Sequence, residues 1–154
     1  MNKQLLTKDY IQTRNRVTDW KEAIQIAAQP MLERGDIEAG YIDAMIQTVI
    51  ELGSYIVIAP LIALPHARSN GLVHHNALSL LKLKEPVYFD SDEESKATVI
   101  LPIACVDNDQ HLAMLAGIAD LFQDEENMNQ LLHTTDQNEL CTIFEHFTFE
   151  EESS

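Results

Sequence analysis

YIVIAPLIALPHARSNG, residues 55 to 71, is the stretch on which the reading of this chain turns. An apolar run, Tyr55 to Ala59 and then Leu61 to Leu64, is punctuated by Pro60 and Pro65 and ends on His66, with Arg68 two residues further on. It is rich in Ile, Val and Tyr and bounded by proline and by Asn70-Gly71, which predicts two short buried strands rather than a helix. Pro65 fixes its own φ and pushes Leu64 towards extended geometry, so the backbone delivering His66 has little freedom. A histidine held this way can act as a general base, a metal ligand or a covalent nucleophile. Metal ligation asks for further ligands at recognisable spacing, and the neighbourhood has no HExxH, no paired CxxC and no close carboxylate. What it has is Arg68, always protonated, whose planar fork matches a phosphate or carboxylate. The local chemistry favours an anion.

Upstream, Asp19 with Glu22 makes a capping-box start, and Trp20, Ala23, Ile24, Ala27, Met31 and Leu32 recur at helical spacing. Pro30 is expected to kink or divide this helix, and Gly35 to stop it. A second helix carries Ile42, Met45, Ile46 and Val49 inward and stops at Gly53. Residues 1–17 are polar and lack clear periodicity, and read as a loosely docked N-terminal segment. Downstream, Ala77 to Leu83 is a buried strand closed by Glu85-Pro86, followed by a short apolar return, Val87 to Phe89, and an acidic loop from Asp90 to Glu94. The adjacent His74 and His75 cannot easily ligate one ion together if the strand already begins there, because neighbours on a strand face opposite ways, and they read as surface residues. Ala97 to Cys105 is the next strand, its Pro102 marking a bulge or an edge.

Asp107 with Gln110 is another capping-box signal, opening a helix whose apolar positions are Leu112, Leu115, Ala119 and Phe122. His111 falls in the first turn. Such turns leave N–H groups unpaired and carry positive partial charge, so they stabilise an anion and lower the pKa of a nearby imidazole. If the fold brings this helix start beside the end of the His66 strand, two imidazoles and a set of free amides surround one phosphate-sized space. Strand ends are where α/β sheets bind ligands. An acidic helix from Asp124 to Leu132 turns Met128, Leu131 and Leu132 inward. Thr134 with Gln137 caps a last helix burying Leu140, Ile143, Phe144 and Phe147, with His133 and His146 on the surface and 148–154 a frayed acidic tail. The alternating signals predict one α/β domain over 1–154, a mixed β-sheet of about four or five strands flanked by helices.

The chain has 154 residues, 45% of them hydrophobic, which suits a single core. The longest apolar runs are too short and too broken by proline to span a bilayer, and the start has no signal-peptide pattern. Cys105 and Cys141 have no metal or redox spacing, and so few cysteines fit a cytoplasmic location. The net charge is −15. Up to Phe89 nine acids balance nine bases, whereas from Asp90 onward sixteen acids face Lys96 alone. Such a surface repels nucleic acid and anionic lipid and attracts a basic protein.

The pattern G-x-Y-x-V-I-A-P-x-x-A-x-P-H-x-R, here Gly53, Tyr55, Val57, Ile58, Ala59, Pro60, Ala63, Pro65, His66 and Arg68, resembles the enzyme IIA component of the bacterial phosphoenolpyruvate-dependent sugar phosphotransferase system. The likeness is to the mannitol/fructose class, and within it to the ascorbate branch, from about the second helix to the last. It implies that His66 is phosphorylated by the histidine phosphocarrier protein and passes the phosphoryl group to a cysteine of a IIB component, which serves a membrane IIC component. It implies an assisting histidine in the helix after the last long strand, here His111, and no cofactor or metal. In mannitol-type relatives an arginine of the second helix assists. Gln47 to Ile50 offers none, which shifts the cationic role to Arg68. The apolar rim of Leu61, Ile62 and Leu64 is expected to dock partners. Two other readings use the same residues. One is a regulatory binding module switched by phosphorylation. The other is a metal-dependent hydrolase built on His66, His111 and Asp107 or Asp109.

Overall fold

Leu80, Leu81, Lys82 and Leu83 are all buried, because the strand they form is covered by helices on both faces. The computed structural model describes residues 2–145 and 147–150. Along the chain these give β1 (Asn2–Gln4), β2 (Ile11–Arg14), α1 (Trp20–Glu33), α2 (Ala39–Leu52), β3 (Val57–Ala59) and β4 (Leu61–Ala63). Then come β5 (Ala77–Leu78), β6 (Leu80–Tyr88), β7 (Lys96–Ile100), β8 (Ile103–Ala104), α3 (Asn108–Phe122), α4 (Glu125–His133), α5 (Gln137–Ile143) and β9 (Thr148–Glu150). The main sheet has five strands in the order β2-β6-β7-β4-β3. It is mixed: β2 pairs with β6 and β4 with β7 in parallel, while β6 with β7 and β3 with β4 are antiparallel. The α/β single-domain expectation is met.

Strand alternation divides the core in two. Leu81, Leu83 and Ile100 pack with Ile24, Met31, Tyr41 and Met45 of α1 and α2. Leu80, Val99 and Ile62 face the other way, towards Met114 and Ile118 of α3 and Leu140 and Phe144 beyond α4. β8 leaves the main sheet after Pro102 to pair with β5, so that proline marks a change of partner.

Several local expectations are corrected. Residues 1–17 are not loosely docked where they are described: Leu6 is fully buried and Ile11–Arg14 is an edge strand of the main sheet. Thr148–Glu150 pairs with Asn2–Gln4 instead of fraying, while residues 151–154 and His146 lie outside the described residues. Pro86 does not end its strand; β6 runs on to Tyr88, with the register to β7 shifting between Lys82 and Val87. Asp136, not Thr134, caps α5 through the amides of Asn138 and Glu139.

Pro30 sits inside α1, which continues past it to Glu33. The proline cannot donate to the carbonyl of Ile26, and Gln12 Nε2 of β2 donates to it instead at 2.6 Å. The neighbouring carbonyl of Ala27 receives the Ser79 hydroxyl at 2.6 Å. The Gln12 side chain thus repairs what the proline breaks, while Ser79 adds a bond to the next carbonyl.

Lys82 is 2% exposed, and its Nζ donates to the carbonyls of Leu131 and Leu132 at 2.8 Å each. It caps the C-terminal end of α4, where a cation suits the helix dipole. Burial nevertheless brings its pKa down from 10.5 to about 8. Between those values the unfolded chain keeps the proton that the folded chain has lost, so this residue makes stability rise with pH across the window. Relative to Lys82→Met, the unfolding free energy of the wild type is expected to increase by about 2 kcal/mol between pH 7.5 and 10.5, after allowance for water at the helix end. Urea unfolding at the two pH values measures it. A difference independent of pH would show that the ammonium is not held dry.

Candidate functional site

The backbone that delivers His66 is laced on both sides. Leu64 N–H donates to Ile56 at 2.9 Å, Leu101 N–H to Ala63 at 2.9 Å and Ile103 N–H to Pro65 at 3.0 Å. His66 is the first residue beyond this lacing, at the C-terminal end of β4. Its Nδ1 lies 2.6 Å from the carbonyl of Leu64. A carbonyl only accepts, so Nδ1 carries the hydrogen and the neutral ring keeps its lone pair on Nε2. The ring of Tyr55 meets it edge-on, 5.7 Å between centroids at 73°.

His111 comes from the first turn of α3, whose N-cap is Asp107. The two imidazoles stand 5.0 Å apart between centroids, tilted by 41°. Burial, and secondly the neighbouring His66, lower the His111 pKa, so it favours the neutral ring. Both histidines line one cleft of about 840 Å³ with Arg68 and with Thr48, Glu51 and Leu52 of α2. Among the described residues lining it, Arg68 is the one permanent cation, and its side chain is exposed.

Of the first-turn amides expected to be free, that of Gln110 is taken. Asp107 accepts from the Gln110 amide at 2.8 Å and from Gln110 Nε2 at 2.9 Å, and bonds to the backbone of Gln110 and Asp109 hold its carboxyl below the usual range. The helix start is already capped by a carboxylate. The inward stripe of α3 also differs: Met114 and Ile118 are buried, whereas Ala119 is exposed and Leu112 is 57% exposed. The proposed rim is corrected as well. Ile62 and Leu64 are core residues at 0% and 2% exposure, and Leu61 lines a separate groove beside Ile58, Glu93 and Lys96. The apolar side chains bordering the site are Leu52 and Tyr55, with Leu112 next to His111.

His74 and His75 are at the surface, paired with Glu38 at 3.1 Å and Asp36 at 3.3 Å. Among the described residues, no three His, Cys, Asp or Glu side chains are grouped to hold a metal ion. Cys105 borders the cleft, but burial, and secondly Asp107, push its thiol up to about 12.

Two supporting residues carried no signal in the sequence. Asn76, 6% exposed, accepts from the amide of Val106 at 2.9 Å through Oδ1 and donates through Nδ2 to Gln110, which ties the start of α3 in place. Tyr41, fully buried, reaches the backbone on either side of the site. Both look like ordinary polar interruptions until tertiary structure supplies their partners.

The five-stranded mixed sheet between helical layers is a fold shared with solved phosphotransferase components. The chain matches the family "Phosphoenolpyruvate-dependent sugar phosphotransferase system, EIIA 2" over residues 4–147 and belongs to it. Components of this family are phosphotransferases that relay phosphoryl groups in sugar uptake. The chain is 34% identical over 128 residues to the ascorbate-specific EIIA component of Mycoplasma pneumoniae, covering 82% of this chain and 80% of that one. It is 29% identical to the solution structure of the mannitol-specific cryptic phosphotransferase enzyme IIA of Escherichia coli, with a TM-score of 0.81 over 88% of this chain and 92% of that one. The Escherichia coli complex of enzyme IIAMTL with phosphorylated enzyme IIBMTL matches at a TM-score of 0.76 and 22% identity, over 89% of this chain and 94% of that one. At that identity the likeness is one of fold.

Proposed function

We propose that this chain is a cytoplasmic phosphocarrier that accepts a phosphoryl group on Nε2 of His66 from the histidine phosphocarrier protein and passes it to a cysteine of a IIB component. The observation that carries the reading is the Nε2 lone pair left free by the Nδ1 contact with Leu64, in a cleft shared with His111 and Arg68. In the first step Nε2 attacks phosphorus. The new P–N bond forms as the carrier's P–N bond breaks, and the carrier's imidazole leaves with the electron pair. In the second step a cysteine thiolate attacks, P–S forms, and Nε2 recovers its lone pair. The Leu64 carbonyl stabilises positive charge on the phosphorylated ring through Nδ1–H. Arg68 and a neutral His111 address the phosphoryl oxygens. In-line transfer with spread charge depends on such positioning and electrostatics.

Family membership supports the relay, and the relative that was solved with a phosphorylated IIB supports an acceptor of the IIB kind. Similarity to an ascorbate-specific component supports ascorbate or a related sugar as the cargo, selected by a IIC component in the membrane. No helix among the described residues is long and apolar enough to cross a membrane. Incubation with phosphoenolpyruvate, enzyme I and the histidine phosphocarrier protein, followed by intact mass measurement, tests the first step. One phosphoryl mass per chain is expected. Adding IIB should then empty the site, and retention of the group in its presence would favour a regulatory switch.

The acids that follow Asp90 give the charge its sign, and a basic carrier is steered towards them. The second-order rate of transfer from the carrier is expected to fall roughly tenfold between about 0.05 and 0.5 M salt. Stopped-flow measurement across that range checks it, and a flat rate removes the steering.

A further inference from the structure

Tyr41 is the third residue of α2 and its side chain is wholly buried. Its hydroxyl donates to the carbonyl of Ile103 at 2.7 Å and accepts the N–H of Ala67 at 3.2 Å. Ala67 directly follows His66. Ile103 opens β8, and the chain beyond that strand leads through Cys105 to the Asp107 cap of the helix bearing His111. One hydroxyl therefore joins the two limbs whose ends carry the imidazoles. A phenylalanine would fill the same core space, so packing does not explain the hydroxyl, whereas the buried Ile103 carbonyl and the half-buried Ala67 N–H are both partnered by it.

We infer that Tyr41 is a positioning residue for the phosphoryl transfer, its hydroxyl bracing the His66 turn against the strand that leads to His111. This rests on the proposed role of His66. Without the hydroxyl, the Ala67 N–H and the Ile103 carbonyl lose their shared partner, the turn relaxes, and Nε2 departs from its in-line approach. Misplacement on that scale slows a reaction without touching the outer surface that a partner protein reads.

The test compares wild type, Tyr41→Phe and, as a core control in the opposite layer, Ile143→Val. Each is phosphorylated by phosphoramidate, which needs no docking surface, and by the phosphorylated histidine phosphocarrier protein. For Tyr41→Phe, kcat is expected to fall about tenfold with both donors while KM for the carrier stays within about twofold. Hydrogen exchange at the Ala67 amide should accelerate in parallel. Ile143→Val should keep the wild-type rate. Equal rates in wild type and Tyr41→Phe overturn the inference alone, as does an equal slowing in Ile143→Val. An Ala67 amide that exchanges in wild type as fast as exposed amides also overturns it, whether or not the tyrosine variant folds. A wild-type chain that takes no phosphoryl group from either donor overturns the proposed function and this inference together.

Discussion

Replacement of His66 by alanine is expected to abolish phosphoryl incorporation from phosphoenolpyruvate through enzyme I and the histidine phosphocarrier protein, while leaving the fold intact. The ring's one hydrogen bond is local, from Nδ1 to Leu64, so its removal leaves no distant buried group without a partner. The backbone around it is held by strand pairing through Ile56, Leu101 and Ile103, none of which involves the imidazole. Loss of function without loss of structure is thus the signature, because a nucleophile has no substitute whereas the scaffold does not depend on it. His74, His75 and His133 lie outside the cleft that holds Arg68, so they offer no rescue, and His111 is the one other described histidine within it. Intact mass measurement and circular dichroism on the same sample check both halves. Label retained in His66→Ala would reassign the site.

His66 was legible in the sequence because its constraint is local: Pro65 and the strand before it fix where the imidazole goes. His111 was legible for the same kind of reason, an Asp107–Gln110 cap that sets the helix start. What joins them is not local. The chain from Ala63 to Pro65 is bonded to Leu101 and Ile103, and only that parallel pairing places the two rings together. The edge strand Ile11–Arg14 was missed because its partner, β6, is far along the chain and its own burial is confined to Ile11. Pro30 does not divide its helix, because propensity counts the missing donor but not the Gln12 side chain that compensates for it. The α3 error is more instructive. His111, Met114 and Ile118 share one helical face, so a His111 that points into the cleft already requires Met114 and Ile118 to point inward and Leu112 to point out. Hydrophobicity alone points to the face of Leu112, which the position of His111 turns towards solvent.

His111→Ala is expected to lower the rate of phosphoryl transfer to His66 by about 10²-fold, with the phosphorylated form still attainable at long times. The ring is a neighbour of the nucleophile, at 5.0 Å between centroids, and forms no bond to phosphorus in the proposed path. Its contribution is a hydrogen bond to an oxyanion that gains charge in the transition state, and deletion of one such donor costs on this order. The neutral form is the useful one. A charged His111 would hold the phosphoryl group too firmly for the thiolate to remove it, and burial with the nearby His66 keeps the pKa low. Lowering the pH should therefore leave the rate governed by His111 flat through the ordinary histidine range, because a depressed pKa delays protonation to more acid conditions. His111→Gln, which keeps a donor without a titrating ring, should recover part of the loss. Quench-flow rates for the three proteins between pH 5.5 and 8, with chemically phosphorylated carrier as donor, decide the matter. A His111→Ala rate equal to wild type would confine this histidine to packing under the cleft and leave Arg68 as the sole side chain addressing the phosphoryl oxygens.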